Sequence, residues 1–261
     1  MEFIDTHCHL NFSNYQHDLE AVINRALQNG VNKIVVPGVD LETSAQAVQL
    51  ADKYPPIFAA VGVHPSDVNS YKTDQTHVLK ELLSHEKVVA IGEIGLDYYH
   101  RKDNKADQKS LLTTMIDIAM THGKPMIIHS REALYDLVDI LRVIFGNETN
   151  WSAKGIFHAF EGDYRAAEEV YELGFLIGAG GPVTYTNASI KHELFSKIGL
   201  KCIVLETDGP FLSPQKYRGK RNEPGNLPVI AQKIAELQDC ALTEVAQSTT
   251  RNANLLFDWI V

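Results

Sequence analysis

Short β-rich runs recur eight times along the chain, at 3–4, 33–36, 57–61, 88–91, 126–128, 155–157, 175–178 and 202–205, and no other feature limits the fold so tightly. The stretches between them carry helical spacing, as in Leu19, Val22, Ile23, Ala26 and Leu27, or Leu111, Leu112, Met115, Ile116, Ile118 and Ala119. Gly30, Gly123 and Gly174 each follow a helical stretch and precede a strand, the place of a left-handed C-cap. The runs are near-continuously apolar rather than alternating, so each strand is expected to be covered on both faces, as in a parallel sheet sheathed by helices. Eight β/α units in 261 residues predict an α/β fold, a (β/α)8 TIM-type barrel, with an open doubly wound sheet as the rival. No linker, low-complexity segment or charge block divides the chain, and a single domain over 1–261 is expected. In such a barrel the chemistry sits on the loops that follow the strands.

Charge and cysteine content exclude several classes of function. A net charge of -9 opposes coating of duplex DNA, which needs a broad basic face, yet it leaves room for a local phosphate pocket. Cys8, Cys202 and Cys240 are odd in number and lack CxxC spacing, which argues against a disulfide framework and a cysteine-rich zinc site and fits a reducing, cytoplasmic setting. The longest clean apolar run, 57–63, is far short of a membrane span, and the opening Met-Glu-Phe-Ile-Asp has no basic region. A soluble, unexported chain with no membrane partner and no obligate protein partner is expected.

The residues that close the apolar runs share one chemistry. Asp5-Thr6-His7-Cys8-His9 ends the first run, and an extended backbone points His7 and His9 to one side and Cys8 to the other. His64 follows the third run, Glu93 the fourth, His129 the fifth, His158 the sixth and Asp208 the eighth. Singly, each has an ordinary reading as a solvated histidine or a capping carboxylate; jointly, they fall at one end of the expected barrel. His17, His77, His85, His100, His122 and His192 lie in helical or interhelical stretches and read as surface residues. The imidazoles of His7, His9, His129 and His158, with Glu93 and Asp208, exceed the three or four protein ligands of one tetrahedral ion. The set therefore points to two divalent cations bridged by a carboxylate, with Glu93 as the bridge. An imidazole-rich set favours zinc, manganese, nickel or iron over magnesium.

The motifs Phe3-Ile4-Asp5-Thr6-His7-Cys8-His9, Val63-His64-Pro65, Gly92-Glu93-Ile94-Gly95-Leu96-Asp97, Ile127-Ile128-His129-Ser130-Arg131 and Leu205-Glu206-Thr207-Asp208 span the chain. In order and spacing the chain resembles the TatD-type metal-dependent hydrolases, the DNase-like branch of the amidohydrolase-type barrels. The resemblance implies one ion held by His7, His9, Glu93 and Asp208 and another by Glu93, His129 and His158. It also implies phosphodiester hydrolysis on DNA, with single strands or strand ends as substrate. Two departures from the usual family pattern are Ala159-Phe160-Glu161-Gly162 after His158 and Gly209 after Asp208.

On this reading Asp208 is the general base towards a metal-activated water and Glu93 holds both ions in register. His64 contacts the phosphate or protonates the leaving group, against the plainer alternative of a histidine ordered by Pro65. Glu206 is expected to orient a ligand histidine from behind. Arg131, at the start of the following helix, offers a bidentate fork for phosphate. Lys216, Arg218, Lys220 and Arg221, beside Tyr217, form a basic loop where phosphate could dock, or else a solvated charge run. Tyr98, Tyr99 and Tyr185 fall in loops where they stack on a base or simply pack. The competing functions are a two-metal C–N hydrolase acting on a small cyclic amide, and a non-catalytic metal-binding barrel.

Overall fold

Strands β1 (Phe3–Asp5), β2 (Val31–Pro37), β3 (Ile57–Val61), β4 (Val88–Asp97), β5 (Met126–Arg131), β6 (Gly155–Phe157), β7 (Phe175–Ala179) and β8 (Ile203–Leu205) form one sheet in chain order. Each pairs in parallel with its successor. The computed structural model describes residues 1–147, 152–257 and 259. Helices α1 (Leu19–Gln28), α2 (Leu41–Lys53), α3 (Thr76–Leu83), α4 (Lys105–His122), α5 (Leu134–Phe145), α6 (Tyr164–Glu172) and α7 (Ser189–Lys197) alternate with the strands. Helices α8 (Leu227–Gln238) and α9 (Leu242–Leu256) follow β8. Among the described residues, no helix is long and apolar enough to cross a membrane.

The ring closes just beyond the first and last strands. Thr6 donates from its backbone N–H and its hydroxyl to the Leu205 carbonyl, each at 3.0 Å. Asp208 N–H reaches His7 C=O at 2.8 Å, and His9 N–H reaches Gly209 C=O at 2.7 Å. Strand order with β1 beside β8 makes this a (β/α)8 barrel and rules out the doubly wound alternative, in which the order reverses partway.

The interior explains why the site forms where it does. Ile4, Val35, Phe58, Ala60, Val89, Ile127, Ile156, Leu176 and Val204 pack in one cluster inside the barrel, and Ala253, Leu256 and Phe257 plug it at the end opposite the mouth. Side chains alternate along a strand, so residues two further on face the same interior one layer higher. Ile127 leads to His129, Ile156 to His158, Ala60 through Gly62 to His64, and Val204 through Glu206 to Asp208. The apolar layer is the floor on which the polar residues stand.

Boundaries differ from expectation at three places. The fourth strand runs on through Glu93 to Asp97, with an irregular register between Ile91 and Ile94, so Glu93 lies within the strand rather than after it. The fifth runs through His129 to Arg131; α5 begins only at Leu134, which makes Arg131 the end of a strand and not the start of a helix. Cys202 belongs to a short 3-10 turn before β8. The extension of β4 along β5 depends on Gly95, at φ 148°, where a Cβ atom would sit 2.0 Å from the His129 carbonyl oxygen.

Candidate metal centre at the barrel mouth

His7 and His9 leave β1 with their Nε2 atoms 3.1 Å apart, both rings buried. Glu93 Oε2 lies 3.5 Å from His7 Nε2 and 3.6 Å from His9 Nε2. Asp208 Oδ1 lies at 3.5 Å and 3.6 Å from the same two nitrogens. Four donors held about 2.0–2.1 Å from a central ion stand about 3.3 Å apart at the corners of a tetrahedron, so this set fits a divalent cation. Two imidazole lone pairs facing each other at such a distance repel unless a positive charge lies between them. Burial, with His158 alongside, presses the His7 imidazolium down to about 4, so near neutral pH a proton does not fill that place. Asp208 is turned inward by a left-handed backbone, φ 54°, a conformation costly for most residues outside glycine.

The other oxygen of Glu93 serves a second group. Oε1 lies 2.8 Å from His129 Nδ1 and 2.8 Å from His158 Nε2, and those two nitrogens are 3.1 Å apart. These lengths are tighter than a tetrahedral edge and match hydrogen bonds. Burial presses against protonation of His158, but Glu93, Asp208 and Glu206 outweigh it and raise the imidazolium to about 10. A proton and a cation therefore compete for this position. His7 stacks on His158 with centroids 4.0 Å apart and planes 6° from parallel, which brings the two groups together.

His64 stands beside the second group, its Nε2 3.5 Å from Glu93 Oε1. Its Nδ1 accepts the Ser66 N–H at 3.1 Å, which assigns the ring proton to Nε2. Burial lowers the imidazolium to about 3, leaving a neutral ring with an N–H donor directed into the mouth.

Three carboxylates not expected to hold an ion, or expected to act differently, support the ones that are. Asp97 Oδ2 accepts from His129 Nε2 at 3.2 Å and so holds the ring with Nδ1 towards Glu93. His100 Nδ1 lies 2.8 Å from the same oxygen, so His100, read from the sequence as an uninvolved surface residue, belongs to this network. Asp5 accepts the Thr207 N–H at 2.9 Å and its hydroxyl at 2.6 Å, fastening the segment that carries His7 to the one that carries Asp208. Burial pushes Asp5 up to about 7. Glu206 does not hold a histidine ring as expected: its Oε1 accepts the Ala159 N–H at 2.5 Å, which fixes the backbone after His158 instead. Its carboxyl is buried opposite Gly178, where a Cβ would approach Oε2 to 2.3 Å, and burial raises it to about 8. Asp97 and Asp5 were missed as participants. The available signal was parity: Asp97 is four residues beyond Glu93 and Asp5 two before His7, both on the same side of an extended chain.

The expected substrate contacts are divided. Arg221 forms a two-pronged ion pair with Asp18, at 2.8 Å and 2.7 Å, and also donates to the Asn14 carbonyl. Its fork is committed to anchoring the loop on the start of α1, which replaces the phosphate role expected of it. Arg131 pairs with Glu161 and lies over the Tyr99 ring. Lys216, Arg218 and Lys220 are exposed, with Lys216 over Tyr217 and Arg218 over Tyr185. Tyr98 turns its hydroxyl to Asp136 at 2.7 Å. A surface cavity of about 660 Å³ on the flank between the β1–α1 loop and α2 borrows Phe12 but contains none of the ligand candidates, so the chemistry is located by the converging donors and not by cavity size.

A family model described as TatD related DNase matches residues 4–258. The metal-dependent hydrolase YabD of Bacillus subtilis (strain 168), described as uncharacterized, is 42% identical over 253 residues, covering 97% of this chain and 98% of that one. YjjV of Escherichia coli (strain K12), described in the same terms, is 34% identical over 258 residues and 98% of each chain. The crystal structure of YjjV, a TatD homolog, matches with a TM-score of 0.90 over 98% of this chain and 97% of that one. A TatD family hydrolase from Entamoeba histolytica matches with a TM-score of 0.83 at 25% identity, over 100% of this chain and 99% of that one.

Proposed function

Since the chain belongs to the TatD-related DNase family of metal-dependent hydrolases, we propose that it hydrolyses phosphodiester bonds of DNA, acting on single strands or strand ends with two divalent cations. The observation that carries this reading is the division of Glu93, whose Oε2 faces His7 and His9 while Oε1 faces His129 and His158. His7, His9, Glu93 and Asp208 would hold one ion, and Glu93, His129 and His158 the other. Bound there, the ions lower the pKa of a coordinated water and offset the charge that builds on phosphoryl oxygens.

The rest of the work falls to the chain. Asp208, with one oxygen on the His7–His9 pair, accepts the proton of the attacking water. His64 donates its Nε2–H to a phosphoryl oxygen or the departing one. With Arg221 and Arg131 tied to carboxylates, only a few cations remain for further phosphates, which suits a short length of strand over a long duplex. The free thiols Cys8, Cys202 and Cys240 support a reducing cytoplasmic setting.

The test is an assay panel on metal-reconstituted protein: single-stranded DNA labelled at either end, RNA, small phosphodiesters and a small cyclic amide. Metal-dependent shortening of DNA from one end supports the reading. Hydrolysis of the amide with every phosphodiester left intact would replace it with a C–N hydrolase.

A further inference from the structure

We infer that Phe211, backed by Phe12, is a nucleobase shelf, on which the base of the nucleotide held at the metal centre stacks. The inference rests on the phosphodiesterase reading above and names how its substrate is gripped.

Phe12 stacks on His9, with centroids 4.5 Å apart and planes 16° from parallel. Phe211 meets both rings edge-on, 6.2 Å from Phe12 and 6.1 Å from His9. Aromatic surface thus runs without a break from a residue of the donor cluster out to Phe211, which is 50% exposed. Tyr99, Tyr185 and Tyr217 at the same rim each lie beneath a cation, whereas among the described residues no cation covers Phe211. A phenyl ring left open beside a polar centre is a site that gains free energy when a flat apolar surface covers it.

The shelf is fixed before anything binds. Phe211 N–H bonds the Asp208 carbonyl at 2.9 Å, and Asn222 N–H bonds the Pro210 carbonyl at 3.1 Å. Buried Asn222 in turn donates to the Thr207 carbonyl at 2.7 Å. Little ordering is lost when a ligand settles on such a ring.

A nucleobase is the occupant that fits. The 6.1 Å between the His9 and Phe211 rings is of the order of the separation between phosphate and base within one nucleotide, so a phosphate at the donor cluster brings its own base over Phe211. A phenyl ring offers no hydrogen-bonding group, so it takes any base by its face and reads no sequence. The base must be free of its own stack to lie there, which selects frayed or single-stranded ends over the interior of a duplex.

The experiment measures binding of 2′-deoxyadenosine 5′-monophosphate and of 2-deoxyribose 5-phosphate to the metal-loaded protein by calorimetry, alongside cleavage of single-stranded DNA. The wild type should prefer the nucleotide by about 5- to 150-fold, the range of one base–aromatic stack. Phe211→Leu, which keeps apolar bulk, should bring that ratio close to one with sugar-phosphate affinity and metal content unchanged, and Phe211→Trp should restore it. A ratio unchanged in Phe211→Leu, or no preference in the wild type, overturns the shelf; if DNA is still cleaved, the phosphodiesterase reading survives alone. A ratio that depends on Phe211 in a protein that cleaves no DNA has the opposite meaning: the shelf stands and the phosphodiesterase reading falls.

Discussion

Asp97 and Glu93 grip opposite sides of one imidazole: Asp97 Oδ2 lies 3.2 Å from His129 Nε2, and Glu93 Oε1 lies 2.8 Å from His129 Nδ1. Both carboxylates sit on β4, four residues apart, and the histidine sits on the neighbouring strand. The ring has no freedom to choose which nitrogen it offers inward.

Asp97→Asn should therefore weaken the cation at the second position without touching the first. An amide can turn its NH2 towards His129 and force the other tautomer. Chelator competition should register a loss of about 10- to 100-fold in affinity for one of two ions, the usual effect of removing such a partner. Equal weakening of both, or of neither, contradicts the assignment.

Metal content itself is the second expectation. Elemental analysis after reconstitution with zinc or manganese should give two ions per chain, and Glu93→Gln should reduce that number because a neutral amide bridges ions poorly. His122→Asn is the control, since His122 only bonds the Ile118 carbonyl at 2.9 Å near the end of α4. A wild-type value of one or less removes the binuclear reading.

His64→Asn should cost turnover about a hundredfold to ten-thousandfold, the scale for loss of a proton-transfer or oxyanion partner. Ions should remain bound at full occupancy, because Nε2 carries the ring's proton and is not free to ligate. Loss of an ion in this variant would make His64 a ligand instead.

A linear single strand and its closed circle separate end-directed from internal cleavage. The linear form should be degraded and the circle spared, and long duplex DNA should show little salt-dependent affinity, as a charge of -9 dictates. Equal loss of linear and circular strands refutes action from an end.

The legible part of the sequence was the part carried by local periodicity. Continuous apolar runs exposed the strands, and because each interior layer lies two residues from the next, Ile127, Ile156 and Val204 already pointed to His129, His158 and Asp208. Pairings across the fold were not legible. Nothing near Arg221 announces Asp18, which is 203 residues away, so a structural anchor read as a phosphate ligand. Glu206 met a backbone N–H rather than a side chain, and backbone donors leave no mark on composition. Asp97 lay inside a recognised motif, but a carboxylate at a strand end looks the same whether it caps a turn or orients a histidine. The continuation of β4 past Glu93 depended on the register with β5, which is a property of two segments together.

The seam between β1 and β8 has a consequence for how the molecule comes into being. Thr6 and Leu205, 199 residues apart, are bonded where the ring shuts, and His7 and Asp208 emerge from that junction on either side. A nascent chain on the ribosome holds His7 and His9 long before it holds Asp208, so the tightest cation site cannot exist until nearly the whole polypeptide has been synthesised and threaded into place. Prematurely terminated products would lack both the final stave of the barrel and the means to capture the ion, and a potentially destructive hydrolytic centre would be armed only in finished molecules.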